Sequence, residues 1–330
     1  MLKISIAMAS YNGGRFLQQQ LDSIARQSRP PDELVVCDDG SSDDTMDILN
    51  QFQGQASFPI EINRNESRLG YAKNFEKVMG LCKGDLIFPC DQDDVWHETK
   101  LQKHETIYNN ETDVGMIYNN ARYIDVDSQL LNGTVFERSF SRNPQMFETL
   151  QSDQAFIVLA RNWRVSGCMI SFRARFWEAI GPIPGELNHD DWVAICMSLL
   201  SRIRLIAEPL NDYRQHSNQA TKGAEPSDAA TSSSYVPVFT RLMEQRATEL
   251  AQVKQRLKKL ESSHPALRFP SHQDHLKGLM SHLWRRSSMS KKLLRRLPLI
   301  LTELLLNNYA RYNDNLRDCL SQDIRQSRFQ

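Results

Sequence analysis

Twice within its first hundred residues the chain runs through a short apolar segment and stops on aspartates. Leu34-Val35-Val36-Cys37 ends in Asp38-Asp39-Gly40, and Leu86-Ile87-Phe88-Pro89-Cys90 ends in Asp91-Gln92-Asp93-Asp94. Apolar runs of this kind at 3–9, 33–37, 60–63, 85–90, 114–118 and 168–172 read as strands. The runs at 15–27, 44–52, 70–82 and 192–200 read as amphipathic helices. Strand and helix in alternation predict an α/β fold around a mostly parallel sheet. Ligands in such sheets bind beyond the carboxyl ends of the strands, where both aspartate clusters fall. Between 125 and 165 the pattern weakens, which predicts a mobile substrate loop.

At 330 residues the chain has room for one large domain and a smaller appendage. The expected division is a catalytic α/β domain over 1–222, a Pro/Ser/Ala-rich linker over 223–234 and a basic helical region over 235–330. The formal net charge is zero, but residues 223–330 hold 18 Lys and Arg against 10 Asp and Glu. That imbalance points to an anionic partner for the tail. From His275 to Thr302 there is no acidic residue, while Lys277, Arg285, Arg286, Lys291, Lys292, Arg295 and Arg296 interleave with Leu, Met and Trp284. A basic amphipathic pattern of this kind fits an anionic membrane surface. No nucleic-acid-binding module accompanies the charge, which argues against a nucleic-acid partner. The six cysteines are scattered without a Cys-x-x-Cys pair, and no leader or spanning segment is evident. These features predict a cytoplasmic protein, peripheral at most to the inner face of the membrane.

Three carboxylates within four residues at 91–94 repel one another unless a cation sits among them. A hard divalent ion, Mg²⁺ or Mn²⁺, held by one or two carboxylates and by substrate phosphates, answers that need. The other reading of both clusters is turn and cap chemistry, since Asp-Gly-Ser is a good turn.

Taken together and in order, Ser10-Tyr11-Asn12, then Val35-Val36-Cys37-Asp38-Asp39-Gly40-Ser41-Ser42, then Asp91-Gln92-Asp93-Asp94-Val95-Trp96 resemble family 2 glycosyltransferases of the GT-A fold. With Tyr213-Arg214-Gln215-His216 the likeness is to a bacterial rhamnosyltransferase-like branch, and it extends to about residue 220. The resemblance implies a nucleotide-sugar donor, dTDP- or UDP-linked, and a glycan or lipid-linked acceptor. Ala9 and Tyr11 would lie against the base, with Asp39 and Asp38 accepting its N3–H. Asp91 would take the ribose or donor sugar and share in the metal site. Asp93 would hold the metal, with His216 as a further ligand of metal or diphosphate. Lys73 would meet the phosphates, with Arg68 ranked below it.

Inverting transfer also needs a base for the acceptor hydroxyl. Asn188-His189-Asp190-Asp191-Trp192 resembles the family's motif for it. The match places the base on Asp190, at a helix start where the dipole favours a carboxylate. Asp191 and Trp192 would face the acceptor, the Trp as a platform for a sugar ring. No Gln-x-x-Arg-Trp motif is present, which implies addition of a single sugar. The competing readings are a sugar-phosphate nucleotidyltransferase, whose Gly-rich loop Gly13-Gly14-Arg15 imitates only weakly, and a non-catalytic glycan-binding or scaffold protein.

Overall fold

The computed structural model describes residues 1–141, 143–162, 165–184, 187–216 and 219, and, in the tail, 247–248, 250–256, 258–259, 261–262, 270–287 and 298–302. Two compact units emerge: Met1–Ala155 with Arg164–Gly223, and Phe156–Trp163 with Ala224–Gln330. The expected linker at 223–234 and the tail residues Lys291, Lys292, Arg295 and Arg296 lie outside the described residues.

The first unit is built on a curled nine-stranded sheet. Strand β1 (Ile4–Ser10) leads through α1 (Gly14–Ala25) to β2 (Glu33–Asp38), and α2 (Thr45–Gln53) leads on to β3 (Ile60–Arg64). The chain then returns through α3 (Tyr71–Leu81) to β4 (Leu86–Cys90) on the other side of β1. These four strands are parallel, in the order β3-β2-β1-β4. Leu34, Val35, Val36 and Cys37 have no exposed surface, as expected of a parallel strand covered on both faces. Leu17, Leu21 and Ile24 repeat along one face of α1 and seal it onto Ile6, Met8 and Phe88.

Beyond β4 the sheet turns mixed. Strand β8 (Ile170–Arg173) lies antiparallel between β4 and β6 (Val114–Ile124), and β9 (Arg202–Arg214) runs parallel to β6. The short β5 (Val95–Trp96) closes the far edge, and β7 (Leu130–Thr134) forms a hairpin with β6. Helix α4 (Lys100–Asn110) connects β5 to β6. The short α8 (Trp177–Ile180) and the longer α9 (His189–Leu200) fill the connection from β8 to β9.

Three departures from the sequence reading have physical causes. Strand β6 continues to Ile124, well past Tyr118, and β9 has no counterpart among the expected strands. Their polar residues pair across the ladder: Asn119 bonds Asn211 at 2.9 Å, and Arg122 grips Asp212 at 2.6 and 2.8 Å. The region 125–165 is not an irregular loop. It carries β7 and the helices α5 (Val135–Phe140), α6 (Gln145–Thr149) and α7 (Ala155–Asn162). Thr134 and Glu137 form a full capping box at the start of α5, a signal present in the sequence as Thr-Val-Phe-Glu. Finally, the turn at 38–42, read as cap chemistry, supplies no side-chain cap to α2; Asp43 accepts from Thr45 instead, at 3.2 Å from its amide and 2.6 Å from its hydroxyl.

In the second unit the helix Pro270–Ser287 leaves Lys277 exposed and Trp284 49% exposed, whereas Arg286 is buried at 3%. The basic residues of that helix therefore do not all face outward. No helix among the described residues is long and apolar enough to cross a membrane.

Candidate active site

The connection leaving β1 runs to β2 on one side while β4 lies on the other, so the loops beyond their paired carboxyl ends part around a cleft of about 530 Å³. The cleft brings together Ala9, Tyr11, Asp39, Arg68, Asp91, Asp93 and His216. Asp38, Lys73, Asp190, Asp191 and Trp192 do not line it.

At the β1–β2 end the loop after β1 is clasped rather than free. Gln92 accepts from the Tyr11 amide at 2.8 Å and donates to the Tyr11 carbonyl at 3.0 Å, tying the first loop to the aspartate turn after β4. A Cβ at Gly13 would meet the Gln92 carboxamide at 2.3 Å, so a side chain there would displace the group that makes this clasp. Asp39 uses both oxygens to hold the next wall: it accepts from Asn65 at 2.9 Å, Leu69 N–H at 2.7 Å and Gly70 N–H at 2.8 Å. A carboxylate has about four lone-pair sites, so one acceptor position remains. Gly70, at φ 82°, adopts the left-handed conformation that closes this turn. The turn delivers the Arg68 guanidinium 3.8 Å over the Tyr11 ring, so one face of that ring already carries a cation.

Two residues expected at this end are placed elsewhere. Asp38 has no exposed surface, and its oxygens accept from Ser10, Gly40 and the Ser41 amide and hydroxyl. It builds the turn that presents Asp39. Lys73 is held by Glu76 at 2.8 Å and by the Ile183 carbonyl at 2.6 Å, pointing away from the cleft. Its neighbour Asn74 lines the cleft instead and bonds Asn65 and the Cys37 carbonyl.

The acidic end is electrostatically strained. Burial, then the charges of Asp93, Asp94 and Asp190, push the half-buried Asp91 well above the usual carboxylate range. Burial and Asp93 push the fully buried Asp94 up to about 7. Asp94 accepts from Arg214 N–H at 3.1 Å through Oδ1, while its Oδ2 has no hydrogen-bond partner. Ligand atoms of Asp91, Asp94 and Cys168 lie within 4.8 Å of one another, and Asp93 Oδ2 is 2.8 Å from His216 Nε2. An orphaned buried oxygen among crowded carboxylates, with an imidazole at their edge, fits a divalent cation.

Arg214, by contrast, is a structural hub. It donates to the Asp93 carbonyl, the Asp125 carbonyl, Ser128 and Gln19, and so fixes the aspartate turn against the β6–β7 hairpin. Below the cluster the buried Lys100 donates to the Cys168 carbonyl at 2.6 Å and to Asn211 at 2.9 Å. Burial lowers its ammonium to about 8.

The segment 189–192 begins α9. Asp190 accepts from Asp191 N–H at 2.9 Å in the first turn. Its charge reaches Asp91 and the cleft-lining Tyr71, whose hydroxyl is pushed up by burial, then by Asp91 and Asp190. His189 stacks on Phe75 at 3.8 Å and is kept neutral, its imidazole lowered to about 3 by burial. Trp192 is not an accessible sugar platform: it is 1% exposed and donates to the Ile180 carbonyl at 3.0 Å. Trp192→Ala is therefore expected to destabilise the fold by about 3–5 kcal/mol. Chemical denaturation checks this, and loss of activity without loss of stability would contradict it.

Sequence reading missed several cleft residues. Arg15 opens α1 and reaches the cleft; Phe16 packs on His216 at 5.1 Å; Tyr71, Gln92 and Tyr213 also line it. Arg15 stands next to Gly13-Gly14, a glycine-to-helix step that signals an anion site. Gln92 and Tyr213 stand inside the motifs at 91–96 and 213–216 without being singled out, and Phe16 and Tyr71 carry no local signal.

Residues 5–193 match the family model described as glycosyl transferase family 2, and the chain belongs to that family. A Nostoc protein described as an uncharacterized glycosyltransferase is 26% identical over 221 residues. The match spans 65% of this chain and 65% of that relative, less than two thirds of its length. Among solved structures, TarS of S. aureus in complex with UDP-GlcNAc superposes with a TM-score of 0.57 at 15% identity, covering 99% of this chain and 89% of that one. The mannosyltransferase PcManGT from Pyrobaculum calidifontis, in complex with GDP-Man and Mn²⁺, gives 0.52 at 16% identity, covering 98% and 85%. With the strand order above, these neighbours establish the GT-A form of the α/β fold.

Proposed function

We propose that this chain is an inverting, metal-dependent glycosyltransferase that adds a single sugar from a nucleoside-diphosphate donor to a glycan or lipid-linked acceptor in surface polysaccharide synthesis. The observation that carries the reading is the meeting of Asp39, Arg68, Asp91, Asp93 and His216 in one cleft at the carboxyl ends of four strands, β2, β3, β4 and β9. UDP-GlcNAc and GDP-Man in the structural neighbours support a nucleotide-sugar donor. For this chain the donor is dTDP-rhamnose or a UDP-hexose. The basic tail would hold the enzyme at the cytoplasmic face of the membrane.

In this reading the open acceptor position of Asp39 receives the base N3–H, and Arg68, stacked on Tyr11, covers the nucleotide. Arg15 meets the diphosphate. Asp93 and His216, with Asp91, would hold Mg²⁺ or Mn²⁺, which neutralises the departing diphosphate. Asp190 removes the acceptor hydroxyl proton as that oxygen bonds to the anomeric carbon. The bond from that carbon to the β-phosphate oxygen breaks, and the proton stays on Asp190.

Nucleotide release from a panel of dTDP- and UDP-sugars, with Mn²⁺, with Mg²⁺ and with EDTA, tests the reading. Release from one donor that stops on chelation is expected. Failure of every nucleotide-sugar to bind would remove the proposal.

A further inference from the structure

The cleft also reaches the end of β9, where His216 belongs to the metal site of the proposed function but Tyr213 has no part in holding a nucleotide. In the sheet, β1, β4, β8 and β6 separate β2, which leads into Asp39, from β9, which carries Tyr213. Tyr213 thus enters the cleft from a strand other than those that lead into Asp39 and Arg68. Tyr213 lines the cleft, and its ladder partner Tyr123 lies beside it with ring centroids 6.1 Å apart. Both residues are partly exposed. The Arg138 guanidinium, from α5, is seated over Tyr123 at 4.0 Å.

Arg138 is held but not neutralised. It donates to the Asn132 carbonyl at 3.0 Å, and it has no carboxylate partner among the described residues. Its neighbour Glu137 is occupied in the α5 capping box, accepting from Thr134 N–H at 2.7 Å. Arg138 is exposed, and stacking on Tyr123 fixes the plane of its guanidinium without consuming the charge. The platform is also rigidly attached to the reaction centre: Arg214 pins the adjoining turn through the Asp125 carbonyl and Ser128, and Val126 of that turn lines the cleft.

From this geometry we infer that Tyr213, Tyr123 and Arg138 form the acceptor subsite, and that it takes a sugar carrying an anionic group, phosphate or carboxylate, next to the attacked hydroxyl. The inference rests on the transferase reading and names the acceptor class of that site. Partly exposed tyrosines offer a pyranose ring an apolar face with a polar rim. The planar fork of Arg138 presents parallel donors that suit phosphate and carboxylate oxygens. A neutral glycan would stack on the rings and leave the arginine unused.

The test measures binding of cellobiose, cellobiouronic acid and glucose 6-phosphate to the full chain by NMR titration, in wild type, Arg138→Gln, Tyr123→Ala and the surface control Arg26→Gln. At low salt the anionic probes should bind wild type and Arg26→Gln at least about ten-fold tighter than cellobiose. Arg138→Gln should bring them down to the neutral level, and Tyr123→Ala should weaken all three. Glucose 6-phosphate above the uronic acid assigns a phosphate-bearing acceptor, and the reverse order a carboxylate-bearing one. Equal binding of neutral and anionic probes, or an anionic preference that survives Arg138→Gln, overturns the inference while wild type still binds UDP or dTDP. A wild type that binds neither nucleotide overturns the transferase reading, and this subsite with it.

Discussion

Asp190→Asn is expected to lower kcat by about 10²–10⁴-fold while nucleotide affinity stays close to wild type. The substitution is nearly isosteric, and an Asn side-chain oxygen can still accept from Asp191 N–H, the contact that shapes the first turn of α9. What is lost is the ability to take up the acceptor proton. The surroundings of the carboxylate suit a general base. Asp190 is 6% exposed, near Asp91 and the Tyr71 hydroxyl, and close to the positive end of a helix. Asp191→Asn is the companion variant, because Asp191 sits one position along the same turn and is buried to a similar extent, at 4%. Steady-state rates with a known acceptor decide between them. If Asp190→Asn stays within about three-fold of wild type and Asp191→Asn does not, the base lies one residue further on. A fall in both, with donor hydrolysis intact, would make the pair a joint structural element of the acceptor site.

The sequence made the first half of the molecule legible because that half is built on strands buried on both faces. Leu34–Cys37 and Leu86–Cys90 announce themselves as unbroken apolar runs, and their ends fall where ligands bind. Strands β6 and β9 hide because polar pairs such as Asn119–Asn211 and Arg122–Asp212 are satisfied only across the ladder. In one dimension each strand looks too polar to be one.

Among site residues the pattern is similar. Asp39 and Asp93 follow from position at a strand end. The difference between Asp38 and Asp39 does not, since which of two adjacent aspartates faces the cleft depends on Ser10 and Ser41 enclosing the other. Lys73 matched a motif position, yet Glu76 one turn along captures it. Trp192 matched as well, and its indole goes to the core because Ile180 offers a buried carbonyl. Arg138 was invisible: only the fold brings α5 over Tyr123.

Asp93→Ala should reduce metal-dependent turnover by about 10²–10³-fold, since a metal ligand supports several kcal/mol of charge stabilisation and each 1.36 kcal/mol is about one decade. His216→Ala removes the nitrogen that meets Asp93 Oδ2 at 2.8 Å and should weaken Mn²⁺ binding at least about ten-fold. Raising Mn²⁺ should then restore much of the His216→Ala rate but little of the Asp93→Ala rate. The double variant should be hardly worse than Asp93→Ala, because both act through one site. Mn²⁺ titrations followed by electron paramagnetic resonance, beside rate measurements, separate these cases.

Stability supplies a second, independent reading. Asp93 is among the charges that hold Asp91 and Asp94 above the usual carboxylate range, so without metal its carboxylate opposes their ionisation. Removing it relieves that repulsion, and the metal-free Asp93→Ala protein should unfold at the same temperature as wild type or higher. Added Mn²⁺ should raise the melting temperature of wild type and leave the variant nearly unmoved. Turnover lost with stability kept or gained marks a cluster held together for a cation. Turnover and metal-free stability lost together would mean that the aspartates are turn-building residues, and the metal site would have to be sought elsewhere.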